Sequence, residues 1–288
     1  MDQLFAQFLK ERIYLRNVTP KTAVWYEQAW KTFKASQKGA DDVTVTKATL
    51  QAFVIHMRER GLKPVTCNTW IKAMNAICGW LHDEGHTPTR LELQTLKTEK
   101  RVLVTLSETH IRQLLTAKPR TFNQWRVFAL TCLLLDTGMR IDEALGLNVT
   151  DVDLDNLLLR VFGKGRKERI IPFSFELRKT LYRFLKVREQ HALTPPLLFA
   201  ARSGAKWHQR NALRAYYLLL KRLSIPKSGF HRIRHTFATQ YLKAGGDVVR
   251  LSKVLGHSQV TTTMRYEHLL TEDLQAPHQR LSLLNRLR

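Results

Sequence analysis

The sequence predicts a mostly α-helical protein of two domains, the second of which carries a small antiparallel β-sheet. Apolar residues recur at helical spacing along most of the chain. Two β-like runs flank Gly163-Lys164-Gly165 in the pattern of a hairpin. The chain has 288 residues, which is long enough for two hydrophobic cores.

Residues 1–88 are predicted to form a first domain of four helices. The first runs from Leu4 to Tyr14. Capping and breaking residues mark the others: Thr19 and Pro20 open the second, the third runs from near Thr46 to Gly61, and the fourth ends at Gly85. Aromatic residues within these helices stand at helical spacing. We therefore assign them to a core rather than to a binding surface.

Residues 89–104 are polar and basic, which predicts a linker, and residues 105–288 are predicted to form the second domain with a C-terminal tail. The apolar run from Phe128 to Leu135 predicts a buried helix. The β-like runs span residues Leu157 to Phe162 and Arg169 to Phe173. Further helices are predicted at Glu176 to Arg188, Gln209 to Leu223, His231 to Lys243 and Val248 to Leu255.

The composition indicates a nucleic-acid partner. With 47 Lys and Arg against 24 Asp and Glu, the formal charge is +23 at pH 7. The excess is uneven, because residues 1–98 contribute +5 and the remainder +18. The second domain is therefore expected to be the main electrostatic partner of a polyanion.

The cysteines and the apolar runs indicate a cytoplasmic protein without a membrane partner. Cys67, Cys78 and Cys132 show neither a disulfide nor a metal-binding pattern, as suits a reducing compartment. No signal peptide is recognisable, and the longest apolar run is too short to span a bilayer.

One set of residues suits the cleavage of a phosphodiester: His231-x-x-Arg234, then Leu255-Gly256-His257, then Tyr266, with an earlier Arg140. Two guanidiniums can neutralise a pentavalent phosphorane as metal ions do elsewhere. A phenol titrates near pH 10, so ionising it at pH 7 costs roughly 4 kcal/mol and requires activation by its neighbours. Taken singly, each residue has an ordinary structural interpretation, and only the joint pattern indicates catalysis.

We predict no metal and no other cofactor. His231 and His235 are four residues apart and could be taken for a metal-binding pair. The zinc-protease pattern H-E-x-x-H requires Glu in second position, where this chain has Arg232. His235 is instead predicted to pack structurally beside the site.

Four strings carry a resemblance to a known family: T-G-M-R-I-D-E-A-L-G-L (137–147), G-K-G-R-K-E-R-I-I-P (163–172), H-R-I-R-H-T-F-A-T (231–239) and L-G-H-S-Q-V-T-T-T-M-R-Y (255–266). In this order and spacing they resemble the signature boxes of the tyrosine recombinases, the phage-integrase and Xer family. The resemblance is close over roughly residues 105–270. It implies a helical core-binding domain followed by a tyrosine-recombinase catalytic domain.

The resemblance also implies roles. Arg140 and Arg234 would hold the non-bridging oxygens of the scissile phosphate, supported by Glu143. Lys164 would protonate the leaving group, and His231 would act as general acid/base. His257 would hydrogen-bond a phosphate oxygen, and Tyr266 would be the nucleophile.

Basic residues outside this set are candidate DNA contacts. They are Lys31, Lys34, Lys38, Lys63 and Lys72 in the first domain, and Arg166, Lys167 and Arg169 beside Lys164. Because three other basic residues lie close to Lys164 in sequence, the sequence pattern does not decide which of them donates the proton. Only the resemblance selects Lys164.

The resemblance implies a site-specific recombinase for DNA integration, excision or resolution. Its partners would be double-stranded DNA with paired inverted half-sites and, in the synaptic complex, three further copies of the chain in a homotetramer. A type IB topoisomerase and a noncatalytic DNA-binding regulator are the alternative functions.

The C-terminal tail is predicted to take part in assembly. Leu281, Leu284 and Leu287 are three residues apart and form an apolar stripe on a short basic helix. Such a helix needs a groove to bury its stripe. We expect it to dock onto a neighbouring protomer, and docking onto its own protomer is the alternative.

Overall fold

The computed structural model describes residues 1–37, 43–99, 103–163, 168–191, 196–257, 259–264 and 266. The chain divides into two compact units, Met1–Arg101 and Val102–Arg288. Several predicted features lie outside the described residues, namely Lys38, Lys164, Arg166, Lys167 and the tail after Tyr266.

The first unit contains four helices: α1 (Asp2–Tyr14), α2 (Pro20–Ser36), α3 (Lys47–Glu59) and α4 (Pro64–Asp83). Two of them begin where their capping residues predict. The Thr19 hydroxyl accepts a hydrogen bond from the Thr22 amide at 3.3 Å, and the Thr46 hydroxyl accepts one from the Thr49 amide at 3.2 Å. These bonds satisfy amides that the first helical turn leaves without partners.

The core of the first unit is aromatic, as the helical spacing predicts. Phe8, Phe33 and Phe53 are fully buried in it. Two indoles also tie α1 to its neighbours, since Trp30 Nε1 donates to Asp2 and Trp80 Nε1 donates to Glu11, both at 2.8 Å.

The chain after α4 lies back against that helix. Asn75 bonds both backbone groups of Leu93 at 2.9 Å, and Asn68 does the same for Leu96 at 2.9 and 2.7 Å. Leu91, Leu93 and Leu96 pack on the core of the first unit. The early part of the segment 89–104 is therefore held in place by α4.

The second unit is mostly helical. Its helices are α5 (Glu108–Leu115), α6 (Phe122–Thr137), α7 (Ile141–Ala144), α8 (Phe175–Gln190), α9 (Gln209–Arg222), α10 (Phe230–Lys243), α11 (Val248–Leu255) and α12 (Thr261–Met264). Helix α6 is buried on nearly all sides and packs against α8, α9 and α10, which confirms the buried helix predicted there.

A small antiparallel sheet of order β1-β2-β3 completes the second unit and confirms the predicted fold class. Its strands are β1 (Val152–Asp153), β2 (Leu158–Phe162) and β3 (Glu168–Pro172). Strands β2 and β3 pair from Leu158 with Pro172 to Phe162 with Glu168, as the hairpin prediction requires. Strand β1 was not predicted, because two residues are too few to show alternation.

Helices α10 and α11 form with Tyr266 a small apolar cluster that is separate from the main core of the unit. This cluster brings the end of α11 close to the start of α7, where the predicted site residues stand. Within the described part of the chain, no helix has the length and apolar character needed to cross a membrane.

Candidate active site

The described site residues stand at the ends of secondary-structure elements in the second unit. Arg140 precedes α7, Glu143 lies in α7, Arg169 lies in β3, His231 and Arg234 lie in the first turns of α10, His257 follows α11, and Tyr266 follows α12. Loops and element ends on a rigid scaffold are where binding groups commonly lie.

A left-handed glycine places Arg140. Helix α6 ends at Thr137, the next residue Gly138 has φ +61°, and the Gly138 amide donates to Leu134 O at 3.0 Å. A Cβ at this position would overlap the Phe237 ring, so the turn requires glycine. The chain then buries Met139 and turns the more exposed Arg140 towards the end of α11.

Arg234 is a buried guanidinium at the centre of the site. Its Nη1 donates to Gly138 O and its Nη2 donates to Leu255 O, each at 2.9 Å. Burial, and secondarily the positive charge of Arg140, lower the pKa of Arg234 to about 10. The group therefore remains charged at neutral pH.

Arg140 also donates to the carbonyl groups at this helix end. Its Nη1 donates to Leu255 O at 3.3 Å, and its Nη2 donates to Gly256 O at 3.1 Å. The last carbonyls of a helix lack partners within the helix and carry partial negative charge, so they attract cations. The end of α11 thus holds both predicted phosphate-binding arginines together.

Glu143 is the counter-ion of the cluster. Its carboxylate accepts Arg169 Nη1 and Nη2 at 3.0 and 2.8 Å, Arg140 Nη1 at 3.1 Å, and the Arg140 amide at 2.8 Å. Desolvation by itself would raise the pKa of Glu143, but the hydrogen bonds and charges of Arg169 and Arg140 bring it below its usual value. The carboxylate is therefore ionised at neutral pH.

Arg169, a candidate DNA contact in the sequence, lies inside this cluster. Besides its two bonds to Glu143, its Nε donates to Val254 O at 3.2 Å, so all three guanidinium nitrogens have protein partners. Its side chain is only 15% exposed. Arg169 therefore occupies a position unlike that of a surface cation.

Two hydrogen bonds of His257 indicate its tautomer. Its Nε2 lies 2.9 Å from Arg234 Nη2, and its Nδ1 lies 2.7 Å from Thr263 Oγ1. Because a guanidinium can only donate, Nε2 accepts, and the ring proton of the neutral imidazole is on Nδ1. This arrangement aligns Nε2 with the arginine cluster.

Tyr266 is fully buried, and one of its hydrogen-bond partners is His235, which was not among the predicted site residues. Tyr266 Oη lies 2.7 Å from His235 Nδ1, with the two ring centroids 5.7 Å apart. His235 was predicted to be only structural. His231, the predicted acid/base, lies one turn before it and is exposed. The adjacency of His235 to Arg234 is the one signal in the sequence that could have indicated it.

The described lysines proposed to contact DNA lie in the first unit. Lys31, Lys63 and Lys72 are exposed. Lys34 instead forms an ion pair with Asp2 at 3.1 Å. The roles of all these residues, and of the site residues, stay predictions.

Comparison with known proteins agrees with this architecture. The pattern of the phage integrase family matches residues 104–273. The tyrosine recombinase XerC of Corynebacterium glutamicum is 36% identical over 146 residues, which are 51% of this chain and 47% of that protein. The tyrosine recombinase XerD of Proteus mirabilis is 29% identical over 297 residues, with coverage of 96% and 92%.

Among solved structures, the Tn1549 transposon integrase in complex with transposon right end DNA is similar with a TM-score of 0.79. It covers 97% of this chain and 98% of that chain at 22% identity, so this likeness concerns the fold. The family match extends over more than half of the sequence and includes the four motifs. The chain therefore belongs to the phage integrase family of tyrosine recombinases.

Proposed function

We propose that this chain is a site-specific recombinase that cleaves and rejoins DNA strands through a 3′-phosphotyrosyl intermediate. The observation that supports this most directly is the convergence of Arg140 and Arg234 on the end of α11, with His257 beside them. The related XerC and XerD proteins carry the name tyrosine recombinase. The energy of the broken phosphodiester bond would be kept in the phosphotyrosyl bond, so the reaction would require neither ATP nor a metal ion.

Each side chain of the site would have a defined role in the proposed reaction. Arg140 and Arg234 would bind the two non-bridging oxygens and stabilise the added charge of the transition state. Tyr266 would attack phosphorus as its proton passes to a base, for which we propose His231. Lys164 would give a proton to the departing 5′ oxygen as the P–O5′ bond breaks.

Binding of DNA would have to rearrange the site. In the structure the guanidiniums donate to the carbonyl oxygens of Leu255 and Gly256. The oxygens of a phosphodiester carry a full negative charge and would compete with these carbonyl oxygens for the guanidinium donors. Tyr266 is fully buried, so its phenol must leave the apolar cluster before it can attack. We propose that the DNA-free site is held in this inactive arrangement.

The proposed partner is double-stranded DNA with paired inverted half-sites. Exchange between two duplexes requires four cleavages, which leads us to propose a homotetramer on DNA. An apolar groove of α5, α6, α8 and α10, whose lining includes Asp136 and Glu176, would accept the basic, Leu-rich tail of a neighbour. We also propose a cytoplasmic location, since Cys67, Cys78 and Cys132 are buried thiols without disulfides.

Strand exchange between two marked DNA sites tests the function. A recombinase joins the left half of one site to the right half of the other, in the presence of EDTA and without ATP. A type IB topoisomerase would relax supercoils without exchange, and a noncatalytic regulator would leave every strand intact. Either of these last results would overturn the proposal.

A further inference from the structure

We infer that Arg169 is a positioning residue that fixes strand β3 against the arginine cluster, so that its loss impairs proton donation by Lys164. This inference rests on the proposed function, in which Lys164 is the general acid. It replaces the sequence-based view of Arg169 as a phosphate contact.

The strand register directs Arg169 inward. Arg169 pairs across the hairpin with Val161, which is 1% exposed, and it shares a face of β3 with the fully buried Ile171. Facing residues on antiparallel strands lie on the same side of a sheet. The side chain therefore enters the interior and does not follow its exposed neighbours Glu168 and Ile170.

Inside, Arg169 joins three elements. It lies on β3, forms a bidentate ion pair with Glu143 of α7, and donates from Nε to Val254 O of α11. A planar guanidinium fixes direction as well as distance in such a pair. The arginine therefore couples the hairpin to the helix that precedes His257 and to the residue that supports Arg140.

Gly256 provides the space for this contact. A Cβ on Gly256 would lie 2.8 Å from Arg169 Cζ and Nη1, and this glycine has φ +67°. Only a residue without a side chain allows the guanidinium to lie on the backbone there. The Leu255-Gly256-His257 motif is thus shaped by Arg169 as well as by the turn.

Apolar packing of Leu159, Val161 and Ile171 holds strands β2 and β3 on the core of the unit, and polar contacts add to it. Residues 163–167 connect β2 to β3, so Lys164 lies two residues after the last paired residue Phe162. On the outer face, Arg160 and Glu168 form an exposed ion pair at 3.4 Å, of the kind that contributes little. Among the described residues of the hairpin, Arg169 is the polar side chain with interior partners that is closest to Lys164 in sequence.

The first test compares two substrates, one with an ordinary 5′ oxygen and one with a 5′ bridging sulfur at the scissile position. A thiolate leaves without a proton, so only defects in proton donation are repaired by sulfur. We expect Arg169→Lys to slow cleavage of the ordinary substrate about a hundredfold, since misplacement by about 1 Å has such an effect. On the sulfur substrate this deficit should shrink at least about tenfold, as it should for Lys164→Ala.

Two further variants serve as references. Arg160→Lys, the exposed arginine on the neighbouring strand, should cleave both substrates at the wild-type rate. Arg140→Lys should be slow on both, because sulfur does not replace a lost phosphate ligand. Thermal unfolding of the full chain and binding to a single half-site should show that each variant is folded.

The outcomes separate the inference from the function on which it rests. If Lys164→Ala is rescued by sulfur and Arg169→Lys is not, Arg169 does not act through the hairpin and the inference is wrong. If neither is rescued, the general acid is misassigned and the inference fails with it. If wild-type protein forms no covalent complex with either substrate, the proposed function itself is wrong.

Salt dependence provides a second test with Arg169→Gln. A phosphate contact would contribute about 0.9 to the slope of log affinity against log salt concentration. We expect the slope of Arg169→Gln to equal that of wild type, because the guanidinium is engaged within the protein. A slope reduced by about 0.9 would restore the view of Arg169 as a DNA contact and overturn the inference.

Discussion

Replacement of Glu143 by glutamine tests the electrostatic balance of the site. The Glu143 carboxylate is 7% exposed and accepts four hydrogen bonds from Arg169 and Arg140. Glutamine keeps the shape, but it has one oxygen and turns an NH₂ group towards guanidinium donors. The substitution leaves Arg169, whose side chain is 15% exposed, without its counter-ion.

The loss of stability can be estimated from the burial of this pair. Removing one partner of a buried ion pair costs about 3–5 kcal/mol, and because glutamine retains part of the hydrogen bonding we expect about 3 kcal/mol at pH 7. A matched control is Glu176→Gln, since Glu176 pairs with Lys179 at 2.6 Å but is 81% exposed. An exposed pair of this kind contributes at most about 1 kcal/mol.

The pH dependence follows from the pKa of Glu143, which lies below its usual value. Desolvation opposes this shift, and the bonds to Arg169 and Arg140 cause it. A lowered pKa stabilises the folded state above the unfolded pKa of about 4.3, and this contribution is lost as pH falls through the folded pKa. The difference between wild type and Glu143→Gln should therefore be constant near neutrality and shrink below about pH 4.

Urea unfolding followed by peptide-resolved hydrogen exchange measures the free energy of unfolding of each unit separately. Glu143→Gln should destabilise the second unit and leave the first unchanged. Equal losses for Glu143→Gln and Glu176→Gln at pH 7 would refute the role of Glu143. So would a difference that persists unchanged to pH 3.

Three further predictions concern the proposed reaction. Lys164→Ala should slow cleavage about a hundredfold or more and be rescued by a 5′ sulfur leaving group, whereas rescue of Lys167→Ala instead would move the general acid to that lysine. If each protomer meets about six to ten phosphates, affinity should fall steeply between about 50 and 200 mM salt, and a nearly flat response would contradict the DNA role of the +23 charge. Deletion of residues 276–288 should spare single-site binding but reduce paired-site complexes and recombination, and a truncated protein that recombines at the full rate would exclude docking onto a neighbour.

Much of the fold follows from local signals. Thr19 and Thr46 start helices because their hydroxyls cap free amides, and the predicted limits of α11 agree with the structure. The hairpin follows from two β-like runs around a glycine-rich turn. These features depend on neighbours in sequence, and so they can be predicted from one chain.

The contacts within the site depend on distant residues and could not be predicted in the same way. The bond between His235 and Tyr266 joins positions 31 residues apart and depends on how α11 and α12 fold back. Arg169 did carry a signal, since alternation along β3 places it on the face of Ile171. Because Arg169 lies close to Arg166 and Lys167 in sequence, it was interpreted as a surface residue that contacts DNA. Only its contact with the buried Glu143 shows that its side chain points into the site.

The most direct test of the central claim is the chemistry of Tyr266. A nicked suicide substrate that carries the target site should accumulate a covalent complex in EDTA, and mass spectrometry of the digested complex should find the DNA 3′ phosphate on the peptide that contains Tyr266. Tyr266→Phe should bind the same DNA and form no such complex. A covalent complex with Tyr266→Phe, or cleavage that strictly requires a divalent metal, would contradict the account.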